Sequence, residues 1–276
     1  MIEGIGKISD LEMVRSSPHG VYLKFGDTEI LMPNKYVPEG LEPGDSVSVF
    51  VYKDSEDRLV ATNLTPAGIL GDYVALEVVG TAPFGAFMEW GLEKHLLVPN
   101  AEMAQTMEVG NKYVVRIMLD YKTERLIGVN KIESFLEVPD NLVEGDAVRG
   151  IVFKKTDLGF NVVVDSQFAG LIYHNSIFEP IEIGQSITCY VDKVRTDGKI
   201  DLKLRKGGAE NIDEDAQKFL DYLNQHDKQT TITDKSSPDL IQEELGMSKK
   251  AFKRAVGSLY KNRIIELLPG EIKLIS

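Results

Sequence analysis

The stretch Pro83-Phe84-Gly85-Ala86-Phe87-Met88 sets two aromatics around a Gly-Ala pair, just after a turn-like Gly80-Thr81-Ala82. The same register returns as His19-Gly20-Val21-Tyr22 and as Leu158-Gly159-Phe160-Asn161. A β-unit that occurs three times, once with a full aromatic pair, points to a binding platform rather than a catalytic pocket. In a strand, alternate residues face opposite sides. Ala86 and Met88 are therefore expected inside a barrel and Phe87 on its solvent side. Phe84 sits where loop becomes strand, so parity does not assign it. From periodicity alone, either ring could instead be core.

Working outward, glycines mark each copy. Gly6, Gly71 and Gly145 each stand thirteen residues before the first residue of the aromatic register. Downstream, Gly44, Gly110 and Gly184 each open a run rich in β-branched and aromatic residues, such as Tyr113-Val114-Val115-Arg116-Ile117. Polar turns then lead to final strands opening at Arg58, Arg125 and Lys199. In the second copy the expected strands are roughly 73–79, 86–90, 95–99, 113–119 and 125–130. Five short strands, with the longest link between the third and fourth, fit a Greek-key OB barrel.

Each copy resembles an S1 RNA-binding domain. The second keeps Gly71-Asp72 and Phe84-Gly85-Ala86-Phe87. The third keeps Gly145-Asp146 and Gly170-Leu171-Ile172-Tyr173-His174-Asn175-Ser176, and the first keeps Gly44-Asp45 and Tyr22. The resemblance implies a stacking site at Phe84 and Phe87, at His19 and Tyr22, and at Tyr173 and His174, with basic help from Arg125 and Lys199. Tyr173 is placed at the family's His position, matched by Val98 and Met32. Leu158 and Asn161 replace the aromatics of the third copy, so the second copy ranks as the best binder.

The 276 residues are 43% hydrophobic, enough for several packed modules. One cysteine, Cys189, excludes an internal disulfide and fits a reducing compartment. No basic-then-apolar leader or membrane-length apolar run is present, so a cytoplasmic chain with no membrane partner is expected. The formal net charge of −12 argues against a wholly electrostatic nucleic-acid binder. Stacking on aromatic rings does not need that charge. Residues 1–66 hold 6 basic and 11 acidic side chains, residues 146–207 hold 9 and 8, with Lys193, Arg195, Lys199, Lys203, Arg205 and Lys206 close together.

From Asp213, read as an N-cap, the period changes from two to 3.6. Ala216, Phe219, Leu220 and Leu223 form the stripe of a first helix. Ser236-Ser237-Pro238-Asp239 gives the cap and Pro near the start of a second, carrying Leu240, Ile241 and Leu245 and ending at Gly246. Ser248 caps a third, with Phe252, Ala255, Val256 and Leu259 inward, and a hairpin follows around Pro269-Gly270. This order resembles a winged helix-turn-helix with the third helix in the recognition position. Lys249, Lys250, Lys253 and Arg254 give that helix a basic face for nucleic acid.

The fold expected is thus mainly β with a C-terminal α+β module: tandem five-stranded OB barrels over 1–66, 67–138 and 139–208, then a winged helix over 209–276. That architecture resembles the conserved virulence factor B family of Firmicutes, and the resemblance implies RNA binding with effects on virulence-gene expression. Two readings compete. The acidic first barrel could hold a protein partner in a scaffold, or the winged helix could bind DNA as a regulator. No phosphate-binding Gly loop or thiolate cluster supports an enzyme, and no catalytic residue, cofactor or metal is assigned. His95 and His174 have no evident sequence partner as bases.

Overall fold

The computed structural model describes residues 4–177, 180–204 and 214–275. Asp213, Arg205, Lys206 and the Gly207-to-Asn211 link lie outside the described residues. The first barrel is built from β1 (Ile8–Ser17), β2 (Gly20–Phe25), β3 (Thr28–Pro33), β4 (Ser46–Lys53) and β5 (Leu59–Thr62). The second uses β6 (Tyr73–Ala82), β7 (Gly85–Glu89), β8 (Leu96–Pro99), β9 (Lys112–Asp120) and β10 (Arg125–Val129). The third uses β11 (Ala147–Lys155), β12 (Gly159–Val164), β13 (Phe168–Tyr173), β14 (Ser186–Val194) and β15 (Ile200–Lys203).

Each set closes in the same order, first–second–third–fifth–fourth, with the third and fifth strands parallel. This is the expected Greek-key closure, which leaves no open sheet edge. The repeating glycines have a physical role. Gly6, Gly71 and Gly145 adopt φ of +75°, +100° and +93°, and their amides donate to Val51, Ile117 and Val191 carbonyls at 2.8 Å each. Gly44, Gly110 and Gly184 likewise donate to Met13, Val78 and Val152. Each of these three carbonyls borders a bulge in its barrel's first strand. A bulge bends that strand around the closing barrel.

Alternation fills the interiors. Val78, Ala86, Met88, Val98, Val115 and Ile117 are fully buried in the second barrel, as are Val152, Val162, Ile172 and Ile200 in the third. The segment after the second barrel is less free than a linker. Ile132 is buried with Tyr73, Val114 and Val163, and Glu137 donates its amide to Gln167 at 2.8 Å.

The C-terminal module comprises α1 (Glu214–Gln225), β16 (Gln229–Thr230), α2 (Pro238–Leu245), α3 (Lys249–Lys261), β17 (Ile265–Leu268) and β18 (Glu271–Leu274). Ser237 and Ser248 cap α2 and α3 through their hydroxyls, and Gly246 closes α2 at φ +63°. The expected stripes pack together around Phe219 and Phe252, whose rings meet edge-on at 5.0 Å. Of the three apolar residues on α2, Ile241 and Leu245 take the inward face, and Leu240 remains 40% exposed. The two-residue β16, which extends the hairpin to three strands, is too short to show as periodicity. By backbone contacts the chain divides into two compact units, 1–142 with 148–188 and 193–202, and 143–147 with 189–192 and 203–276.

Candidate nucleic-acid interface

The β6–β7 turn holds Phe84 out of the barrel at 59% exposure. Gly85 lets the chain pass close beneath it, since a Cβ there would lie 2.5 Å from the Val98 carbonyl oxygen. Asn100 pins the turn: its amide donates to Phe84 O at 3.0 Å and its side chain to Pro83 O at 2.7 Å. Asn34 does the same for His19 O and Pro18 O, at 3.1 and 2.9 Å. His174 stands in that place in the third barrel. Its amide donates to Leu158 O, and its Nε2 lies 2.9 Å from Thr156 O. This His, implied as a base contact, therefore already fastens the turn.

Phe87 lies on the outer face, as parity requires, but is only half exposed. Phe84 meets it edge-on at 5.9 Å and 89°. Across the strands Phe87 pairs with Leu97, Leu97 with Ile127, and Ile127 with Met118. The result is an apolar row crossing the outside of the barrel. In the first barrel the same row is Tyr22, Leu31, Val60 and Tyr52. There Arg15 lies 3.8 Å from the Tyr22 ring centre while pairing with Glu29, so one face of Tyr22 is covered. His19 is exposed nearby in sequence, at the turn. In the third barrel the row is Asn161, Leu171 and Asp201. Leu158 is 65% exposed there, Lys199 is exposed and Arg195 is paired with Asp197.

The register corrects one assignment. Tyr173 pairs with Gly159, as Pro33 pairs with Gly20 and Pro99 with Gly85. Its counterparts are the two prolines, whereas Met32 and Val98 match Ile172, all fully buried. A slip of one residue moves a side chain to the opposite face.

A cleft of about 390 Å³ runs from Phe84 and Phe87 to Tyr52 and Lys53 of the first barrel. The repeat pattern gave no sign of this junction, because its partners lie in different copies. Arg125 grips Asp57 with two hydrogen bonds of 2.5 and 2.6 Å. Lys53 reaches Glu124 at 2.9 Å, and Lys35 pairs with Glu93. Lys94 Nζ donates to the Lys53 and Asp54 carbonyls at 3.1 and 2.7 Å. Trp90 is buried against Phe50, ring centres 5.8 Å apart, with its indole donating to Lys94 O. Hydrogen bonding from Arg125 holds Asp57 below the usual carboxylate range, and Lys35 does so for Glu93. Burial, aided by the nearby Arg125 charge, lowers the Lys94 ammonium. Burial pushes Tyr52 up to about 12. His95 does have a partner: its Nε2 lies 3.2 Å from Glu89, both side chains being exposed.

On the winged helix, the four basic residues do not form one free face. Lys249 donates to Ser236 O at 2.8 Å, and Arg254 pairs with Asp215 of α1. Lys250 and Lys253 are exposed and have no ion pair among the described residues.

Comparison with known proteins bears on both ends of the chain. Residues 5–64 match an S1 domain, and residues 217–274 match a CvfB-like winged helix domain. Conserved virulence factor B of Staphylococcus epidermidis is 26% identical over 98% of this chain and 94% of its own. The chain is thus similar over nearly its whole length to proteins named conserved virulence factor B. Another relative, the uncharacterized protein YitL of Bacillus subtilis, is 29% identical over 93% of this chain and 89% of its own. A solved multidomain protein with nucleic acid binding domains from Streptococcus pneumoniae is similar over 99% of both chains, at 22% identity and a TM-score of 0.48. The chain combines S1-type OB barrels with a winged helix, module types of nucleic-acid recognition, and no catalytic family is indicated. Among the described residues, no helix is long and apolar enough to cross a membrane.

Proposed function

We propose that the chain binds single-stranded RNA, chiefly on the outer face of the second barrel, and acts in post-transcriptional regulation. The observation that carries this reading is Phe84. It is a large apolar ring, mostly exposed, fixed by a pinned turn and set beside the apolar row from Phe87 to Ile127. A base stacked on such a ring contributes roughly 1–3 kcal/mol, whatever the base. Duplex hides the faces of its bases, so single strands are expected to bind better. The first barrel, with Tyr22 covered, and the third, with Leu158 and Asn161, rank below it. Lys250 and Lys253 add phosphate contacts that do not depend on sequence. The regulatory role is in keeping with the name virulence factor carried by the relatives.

The test compares fluorescence anisotropy with single-stranded RNA, single-stranded DNA and duplex DNA of equal length. RNA is expected to bind most tightly. Tighter binding to duplex DNA would transfer the function to the winged helix. Absence of binding to all three at low salt would favour a protein scaffold.

A further inference from the structure

We infer that the first barrel completes the binding face of the second: a nucleotide of the strand stacked at Phe84 enters the cleft between them, base against Phe87 and Tyr52, phosphate on Lys94. The inference rests on the single-strand reading above. Phe84 and Phe87 line the cleft themselves, so the platform and the cleft are one continuous surface. A volume of about 390 Å³ falls in the range of small-ligand sites, roughly 300–1,000 Å³, and is too large to be a packing defect.

The chemistry of the walls selects the ligand. Two cations at the cleft are already neutralised, Lys53 by Glu124 and Arg125 by Asp57. Lys94 is held by two carbonyls, which fix its ammonium without neutralising it. Burial and, less, the nearby Arg125 charge disfavour its charged form, a cost that an anion beside the ammonium would offset. A ligand that is only flat leaves Lys94 unused, and one that is only anionic leaves the apolar walls unused. A nucleotide brings both a planar base and a phosphate. The ion pairs across the joint fix the Tyr52 wall before binding, which reduces the ordering that binding requires.

The test uses the whole chain with fluorescein-labelled oligouridylate across a salt series. Lys94→Gln is expected to weaken binding roughly tenfold and to reduce the salt slope by about 0.7, the share of one phosphate on a single strand. Because Lys94 also touches the joint, a second set checks the joint itself. Asp57→Arg and Arg125→Asp each place like charges across it and are expected to weaken binding, whereas the double exchange restores the pair and the affinity. Uridine monophosphate is expected not to displace the oligomer. Displacement at micromolar concentration would make this a free-nucleotide site and overturn the inference. If Phe84→Ala weakens binding while Lys94→Gln and both single reversals leave it unchanged, the first barrel takes no part and the inference falls alone. If Phe84→Ala also has no effect, the single-strand reading falls with it.

Discussion

Phe84 and Phe87 stand three residues apart and differ in what truncation would remove. Phe84 is exposed, so Phe84→Ala is expected to lower RNA affinity by about 1–3 kcal/mol and leave the melting temperature unchanged. Phe87 is half-buried in the row with Leu97, so Phe87→Ala should lower both. Titration and melting on the same samples separate the two; a Phe84→Ala protein that melts lower but binds normally would make that ring structural. Gly159 makes a sharper structural claim. A Cβ there would lie 2.0 Å from the Ile172 carbonyl oxygen, and Gly20 stands in the same relation to Met32. Backbone cannot yield as a side chain does, so Gly159→Ala is expected to cost roughly 1–3 kcal/mol of stability in denaturant unfolding, as overpacking does. An unchanged unfolding midpoint would contradict the close approach of β12 to β13.

At the scale of elements, α3 offers two lysines rather than four basic groups. Lys250→Glu with Lys253→Glu is expected to flatten the salt dependence of RNA binding without unfolding the module, since both lie off the buried stripe. An unchanged slope would remove α3 from the interface. The helices and strands themselves were legible because burial follows a period of two or 3.6, and because anchor glycines recur wherever the barrel demands positive φ. Ser237, Ser248 and Gly246 were legible for a similar reason, since caps depend on local chemistry. Contacts between distant segments were not. Nothing local to Arg254 announces Asp215, and nothing local to Arg125 announces Asp57. The one-residue slip at Tyr173 arose because matching by residue type does not fix register, whereas strand pairing does. Two adjacent apolar residues open α2, and sequence alone does not say that Ile241 rather than Leu240 faces the core.

At the scale of the molecule, the first two barrels share one joint, and that joint can be followed through Trp90, the sole tryptophan. Asp57 and Glu93 have folded pKa values held below their ordinary ones. Their contribution is therefore present above the usual carboxylate range, about pH 4, and is lost as pH falls through the depressed values. Trp90 emission is expected to stay constant from pH 7 to about 4 and to shift red below that. A shift near pH 6 would show that other groups hold the joint. The central claim, that single-stranded RNA lies on the face carrying Phe84, is tested most directly by photocrosslinking. Thiouridine-substituted single-stranded RNA, bound to the whole chain and irradiated, is expected to label the peptide containing Phe84 and Phe87. Labelling confined to α3, with that peptide unmodified, would contradict it.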